Sequence, residues 1–264
     1  MARPMRKFNG KSERLLSTMR LVRWAMLLLL IALIARSVAQ AQTPAASPTT
    51  DDNLAIVGAR VAIDQELEQV IFRQTVKGIA GGTVPEATGA LDGATVIGYV
   101  FPTTLQPGDV GFKGAEGIVA LAVTSHPDFD DTPLWDENGD GNYANDGAQY
   151  HSHWVLLGQD ERAPAGLAVV AVSGDVATAL PPTNPGLPIY LDSPGFPVVL
   201  RGQDVIVVVP ASRIHGQTSF RFDAVTASMR VSSSDPTKPM LGVTEVHSVW
   251  SGDLSLPGTP EAKP

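Results

Sequence analysis

Gly117-Ile-Val-Ala-Leu-Ala-Val-Thr124 and Asp204-Val-Ile-Val-Val-Val209 decide the fold class. Within them, Ile118–Val123 and Val205–Val209 are apolar without interruption and rich in β-branched residues. Both are also too short for the helices of a globular domain, so they predict central, buried strands. Outward from them, further short apolar runs are split by Gly, Pro, Asp and Asn. They predict strands at Ile56–Ile63, Gln69–Lys77, Thr95–Phe101, Gln149–Leu157, Leu167–Val172, Ser219–Val231 and Gly242–Trp250. In the Ser219–Val231 run, Phe220, Phe222, Ala224 and Thr226 alternate with Arg221, Asp223 and Val225, the pattern of a half-buried strand. Asp64 to Phe72 also fits a helical stripe through Leu67, Val70 and Ile71, but a hairpin is the better reading.

Eight or nine strands with turn residues between them predict an all-β fold, a β-sandwich of immunoglobulin-like or jelly-roll type over residues 54–252. Pro181 to Pro197 contains six prolines and predicts an extended loop. Residues 253–264 predict a loose tail. The whole chain has 264 residues, 44% of them apolar and 17% charged, enough for one packed core.

The N-terminus has its own composition. Residues 1–41 carry eight of the nineteen Lys and Arg residues and one acid, Glu13. Trp24 to Ala35 is an apolar run preceded by Arg20 and Arg23, and Ala39-Gln40-Ala41 is a small-x-small site. This is the order of a bacterial signal peptide cleaved after Ala41, and Met19 is a possible true start. The alternative is an uncleaved membrane anchor over residues 24–41, the chain's one predicted membrane contact. Residues 42–53 read as a flexible linker. The expected location is therefore the periplasm or the cell exterior.

Past residue 41 the chain has 11 bases against 26 acids, which disfavours a nucleic-acid partner. A protein or carbohydrate ligand remains open. The absence of cysteine excludes thiolate metal sites and thiol catalysis. No G-x-S-x-G nucleophile and no phosphate-binding glycine loop occurs.

Chemistry concentrates in residues 127–149. Seven acids lie there (Asp128, Asp130, Asp131, Asp136, Glu137, Asp140 and Asp146), and no Lys or Arg occurs from 114 to 161. Such crowding favours a cation. Asp136-Glu137-Asn138-Gly139-Asp140-Gly141-Asn142 reads D-x-N-x-D-G-N. This resembles the first half of the calcium loop of EF-hand proteins and the D-x-D-x-D-G loops found outside them. The resemblance implies calcium ligation by the side chains of Asp136, Asn138 and Asp140 and by the carbonyl of Asn142. Gly147 stands where an EF-hand has its bidentate Glu, and a strand follows instead of a helix, so the loop lies outside an EF-hand. Asp146, or Asp130 or Asp131 upstream, could supply the missing carboxylate. Asx-turns without metal are the plainer alternative.

Tyr150-His151-Ser152-His153-Trp154 follows. On a strand His151 and His153 share one face, while Tyr150, Ser152 and Trp154 share the other. A surface pair of histidines is the expectation. The alternative is a Zn, Fe or Cu site with His126, Asp128 or Asp130 as third ligand. Tyr150 and Trp154 suit either a sugar-stacking platform or core packing. Together these features predict an exported calcium-binding module with a binding or structural role. The rival is a metalloenzyme or redox protein using His151 and His153.

Overall fold

The structure, a computed structural model, describes residues 51–132, 134–142 and 146–260. The signal, the anchor and most of the linker lie outside these residues. Fourteen strands are present among those described: β1 (Ile56–Asp64), β2 (Gln69–Val76), β3 (Thr95–Pro102), β4 (Ile118–Ser125), β5 (His151–Gln159), β6 (Leu167–Val169), β7 (Leu191–Asp192), β8 (Val198–Arg201), β9 (Asp204–Pro210), β10 (Arg221–Phe222), β11 (Ala224–Val231), β12 (Leu241–Trp250), β13 (Leu256–Pro257) and β14 (Thr259–Pro260).

The all-β expectation holds, but the architecture differs from an open two-sheet sandwich. One sheet runs β4-β3-β11-β12-β6-β5-β7, and β5 also pairs with β4, closing six strands into a barrel. The second sheet, β14-β1-β2-β9-β8, packs on the barrel's outside. The sequence supplies the reason. β3 and β4 are apolar on both faces, so a one-sided sheet would leave half of each in water. Closure buries both. Val96, Val100, Ala120 and Ala122 point into the barrel, where they meet Val155, Ala227, Met229 and Val243. Their strand neighbours Tyr99, Phe101, Leu121 and Val123 point out against Val70, Phe72, Val205 and Val207 of the second sheet.

Phe72 anchors that interlayer, edge-on to Phe101 at 5.3 Å and to Trp154 at 6.4 Å, and stacked on Phe220 at 5.9 Å. Burying one such ring contributes about 2–3 kcal/mol. Gln74 is also fully buried there, its Nε2 donating to the Val100 carbonyl at 2.8 Å and so tying sheet to barrel.

Several local expectations can now be placed. Val119 to Val123 are buried throughout, as their composition predicts, although Ile118 is exposed. β9 is not buried on both faces: Val205, Val207 and Val209 face the core, whereas Ile206 and Val208 are half-exposed, because only one layer covers this sheet. Asp64 to Phe72 is a hairpin, with Asp64 Oδ1 accepting from the Glu66 and Leu67 amides and Glu68 in the left-handed region. The proline-rich loop contains one short strand, β7. The tail is tied through β13 to β10 and through β14 to β1.

Candidate metal centre

β4 and β5 form the barrel seam in a register that pairs Ala122 with His153 and Thr124 with His151. Cross-strand partners share a face, so both histidines point to the barrel's inner side, at its rim. β4 ends at Ser125, and His126 continues its alternation onto that same side. The chain then turns, the Phe129 amide reaching back to the His126 carbonyl, and Asp131 enters the cluster.

His126, Asp131, His151 and His153 are all buried, between 1% and 7% exposed. The surface-pair expectation is thus overturned: closing β4 onto β5 carries both imidazoles inside. One ligand atom from each of the four residues lies within 4.8 Å of the others. His126 Nε2 is 2.9 Å from His151 Nε2, and Asp131 Oδ1 is 3.1 Å from His151 Nε2, 3.4 Å from His126 Nε2 and 3.5 Å from His153 Nε2.

The outer ring nitrogens fix the tautomers. His126 Nδ1 meets the Phe129 carbonyl at 2.9 Å. His151 Nδ1 meets the Gln149 carbonyl and Glu137 Oε1, each at 2.8 Å. Carbonyl and carboxylate oxygens only accept, so both nitrogens carry hydrogen. His153 Nδ1 faces Ser193 Oγ at 3.1 Å. The Ser193 hydroxyl donates to the Asp131 carbonyl at 2.7 Å, so it accepts from His153. When the three rings are neutral, all three Nε2 lone pairs are therefore turned on one point beside a carboxylate oxygen; when His151 is protonated, its Nε2 instead donates to Asp131. His153 Nε2 has no hydrogen-bond partner there. Lone pairs 2.9 Å apart repel unless a proton or a cation lies between them. This group could hold a metal ion.

The electrostatics point the same way. Burial alone would raise the Asp131 carboxyl. The neighbouring imidazoles, His153 and His126 foremost, and hydrogen bonds from His126 and His151 overcome it and hold Asp131 well below the usual carboxylate range. Burial pushes His153 down to about 3, so it is neutral. Burial also disfavours charge on His151, but hydrogen bonds to Asp131 and Glu137 raise it to about 10. Without metal, one proton on His151 sits between two carboxylates. A divalent ion in its place balances both charges.

The sequence named His151, His153 and His126 for the alternative site. It did not select Asp131 as their carboxylate, offering Asp128 and Asp130 instead. Asp128 instead caps the Gly89 amide through Oδ1, and Asp130 accepts from Thr132. The calcium residues lie in a separate turn. Asp136 accepts from the Asp140 and Gly141 amides, Asn138 Oδ1 from the Asp140 amide, and Asp140 Oδ1 from the Asn142 amide. Asp146 is fully buried and accepts from the Asn138 amide, while its Oδ2 has no partner. Tyr150 and Trp154 form no open platform: both are buried in the interlayer, and Tyr150 Oη donates to the Thr83 carbonyl.

Comparisons with protein families, with curated proteins and with solved structures find no match to this chain.

Proposed function

We propose that this protein is an exported β-barrel module holding one transition-metal ion, zinc before iron or copper, through His126, His151 and His153 Nε2 and Asp131 Oδ1. The observation that carries this reading is the convergence of three imidazole Nε2 atoms, whose Nδ1 atoms are already engaged, on one carboxylate oxygen. Three imidazoles and one carboxylate are ligands for zinc, iron or copper, and no thiolate biases the choice. Zinc bonds of about 2.0–2.1 Å place tetrahedral ligands roughly 3.3 Å apart. The Asp131 distances of 3.1–3.5 Å suit that spacing. Four protein ligands in full burial form the closed type of site, which stabilises structure rather than activating water. The ion would staple both ends of the connection between β4 and β5. Export is supported by the N-terminal order of charge, apolar run and Ala39-Gln40-Ala41.

Elemental analysis tests the reading. Protein exported by a bacterial host and purified without chelator should contain about one equivalent of transition metal per chain, as a closed site of high affinity requires. Its intact mass should begin after Ala41. If the protein stays metal-free after exposure to zinc, iron and copper salts and desalting, the centre is a proton-bridged histidine cluster and the reading fails.

Calcium in the Asp136–Asn142 turn is a second reading, favoured by the buried, unpartnered Asp146 Oδ2 beside it. Asp136, Asn138, Asp140, Asn142 and Asp146 would be its ligands. For a site of about 10 μM, millimolar calcium should stabilise the fold by about 2.7 kcal/mol. That is a melting shift of about 5–10 °C for a domain of this size. Asp140→Ala should remove most of the shift, and magnesium should replace calcium poorly. An unmoved melting temperature would mean that the Asx-type hydrogen bonds alone hold this turn.

A further inference from the structure

A cleft of about 480 Å³ opens beside the metal centre, with Trp135, Glu137, His151, Phe196 and Leu200 in its walls. We infer that this cleft binds a neutral, hydroxyl-rich ring compound, a sugar. The inference rests on the metal reading for its charge balance. Three observations carry it.

The first is an acceptor that lacks a donor. The Glu137 side chain is only 8% exposed and holds His151 Nδ1 with Oε1. Its Oε2 is buried and has no partner. A buried carboxylate oxygen in that state is costly; Glu137 lines the cleft, and a ligand hydroxyl would satisfy Oε2 once the side chain turns toward it.

The second is an exposed ring. Trp135 is 50% exposed, although it lines the cleft. Gly195 is what lets the indole lie there. A Cβ at this position would sit 1.6 Å from Trp135 Nε1, and Gly195 has a φ of +66°, which also favours glycine. With the apolar walls of Phe196 and Leu200, the indole offers a flat surface to the C–H face of a sugar ring.

The third is charge. No Lys or Arg lies between residues 114 and 161, so an anion would face Glu137 without compensation from this wall. Arg213 packs its guanidinium over the Phe196 ring at 5.6 Å and also acts on Asp192. With a divalent ion bound, Asp131 and Glu137 are already balanced, so the site does not call for a cationic ligand either. A neutral donor of hydrogen bonds is what remains.

The test uses zinc-loaded protein titrated with glucose, galactose, maltose and cellobiose, followed by tryptophan fluorescence and calorimetry. At least one sugar should bind saturably, with an affinity of about millimolar, in keeping with so small a contact. Trp135→Ala should weaken it about tenfold. Glu137→Gln, which keeps the shape but removes the charge, should weaken it as well. Zinc content is measured on the same samples. Zinc-replete protein that binds none of the four sugars overturns this inference and leaves the metal reading standing. So does sugar binding that Trp135→Ala leaves unchanged, or a cleft that takes ethanolamine or acetate in preference. Protein that holds no zinc yet binds sugar at Trp135 supports the cleft and overturns the metal centre.

Discussion

Removing the transition metal should lower the melting temperature by about 8–16 °C. A ligand present at a thousand times its dissociation constant stabilises the folded state by about 4.1 kcal/mol, and each kcal/mol moves a domain of this size by about 2–4 °C. Phenanthroline should produce the drop and zinc should reverse it. Calcium or magnesium added to the stripped protein should not restore the melting temperature. His151→Gln combined with His153→Gln should melt near the stripped wild type and give no response to phenanthroline. The reason is electrostatic as well as coordinative. Without the ion, Asp131 and Glu137 keep their burial cost, with at most one shared proton on His151 as compensation. A double variant that melts with the metal-loaded wild type would show that the four residues are ordinary core polar groups.

How much of this was legible in the sequence follows from the range over which each feature is decided. The strands were legible because period-two alternation and β-branching act over a few residues. Thr95–Phe101, for example, was placed to within one residue of β3. That His151 and His153 share a face was legible for the same reason. Their burial was not, because it depends on β4 pairing with β5 across the whole acidic connection, a long-range contact with no local signature. That pairing also decides barrel against sandwich. Asp131 has no local signature, because strand alternation continued past Ser125 would place Asp128 and Asp130 on the face of His126. The chain instead turns between His126 and Phe129, which shifts the parity and delivers the next acid. Glu137 could be recognised as the partner of His151 only once the loop was folded. The D-x-N-x-D-G pattern was legible as a tight turn, since Gly139 and Gly141 both adopt the left-handed conformations it needs.

Gly147→Ala should be among the most damaging single changes in the protein, although Gly147 supplies no ligand atom. A Cβ at this position would lie 1.9 Å from the Phe129 carbonyl oxygen, 2.5 Å from the His126 carbonyl oxygen and 2.8 Å from His126 Nδ1. Two of these three are backbone atoms, which cannot rotate away, so the loop itself must move. It is also the loop that sets the first ligand. The Gly147 carbonyl accepts from the His126 amide at 2.6 Å, and the Phe129 carbonyl holds His126 Nδ1 at 2.9 Å. Disturbing such an outer partner typically lowers metal affinity by about 10–100-fold. Added to about 1–3 kcal/mol for overpacking, this predicts a melting drop of about 5–20 °C in metal-loaded protein. Gly139→Ala separates this effect from the general cost of replacing glycine. Gly139 has a φ of +73° but nothing within 4 Å of its added Cβ. It should therefore lose only about 1 kcal/mol to backbone strain and keep its metal. The position of Gly147 then acquires a physical meaning. An EF-hand places a ligand at this point in the loop, whereas here the chain passes so close behind His126 that only a hydrogen atom fits. If Gly147→Ala keeps a full equivalent of metal and an unchanged melting temperature, the loop does not pack behind His126 as described, and the geometry of the centre must be redrawn.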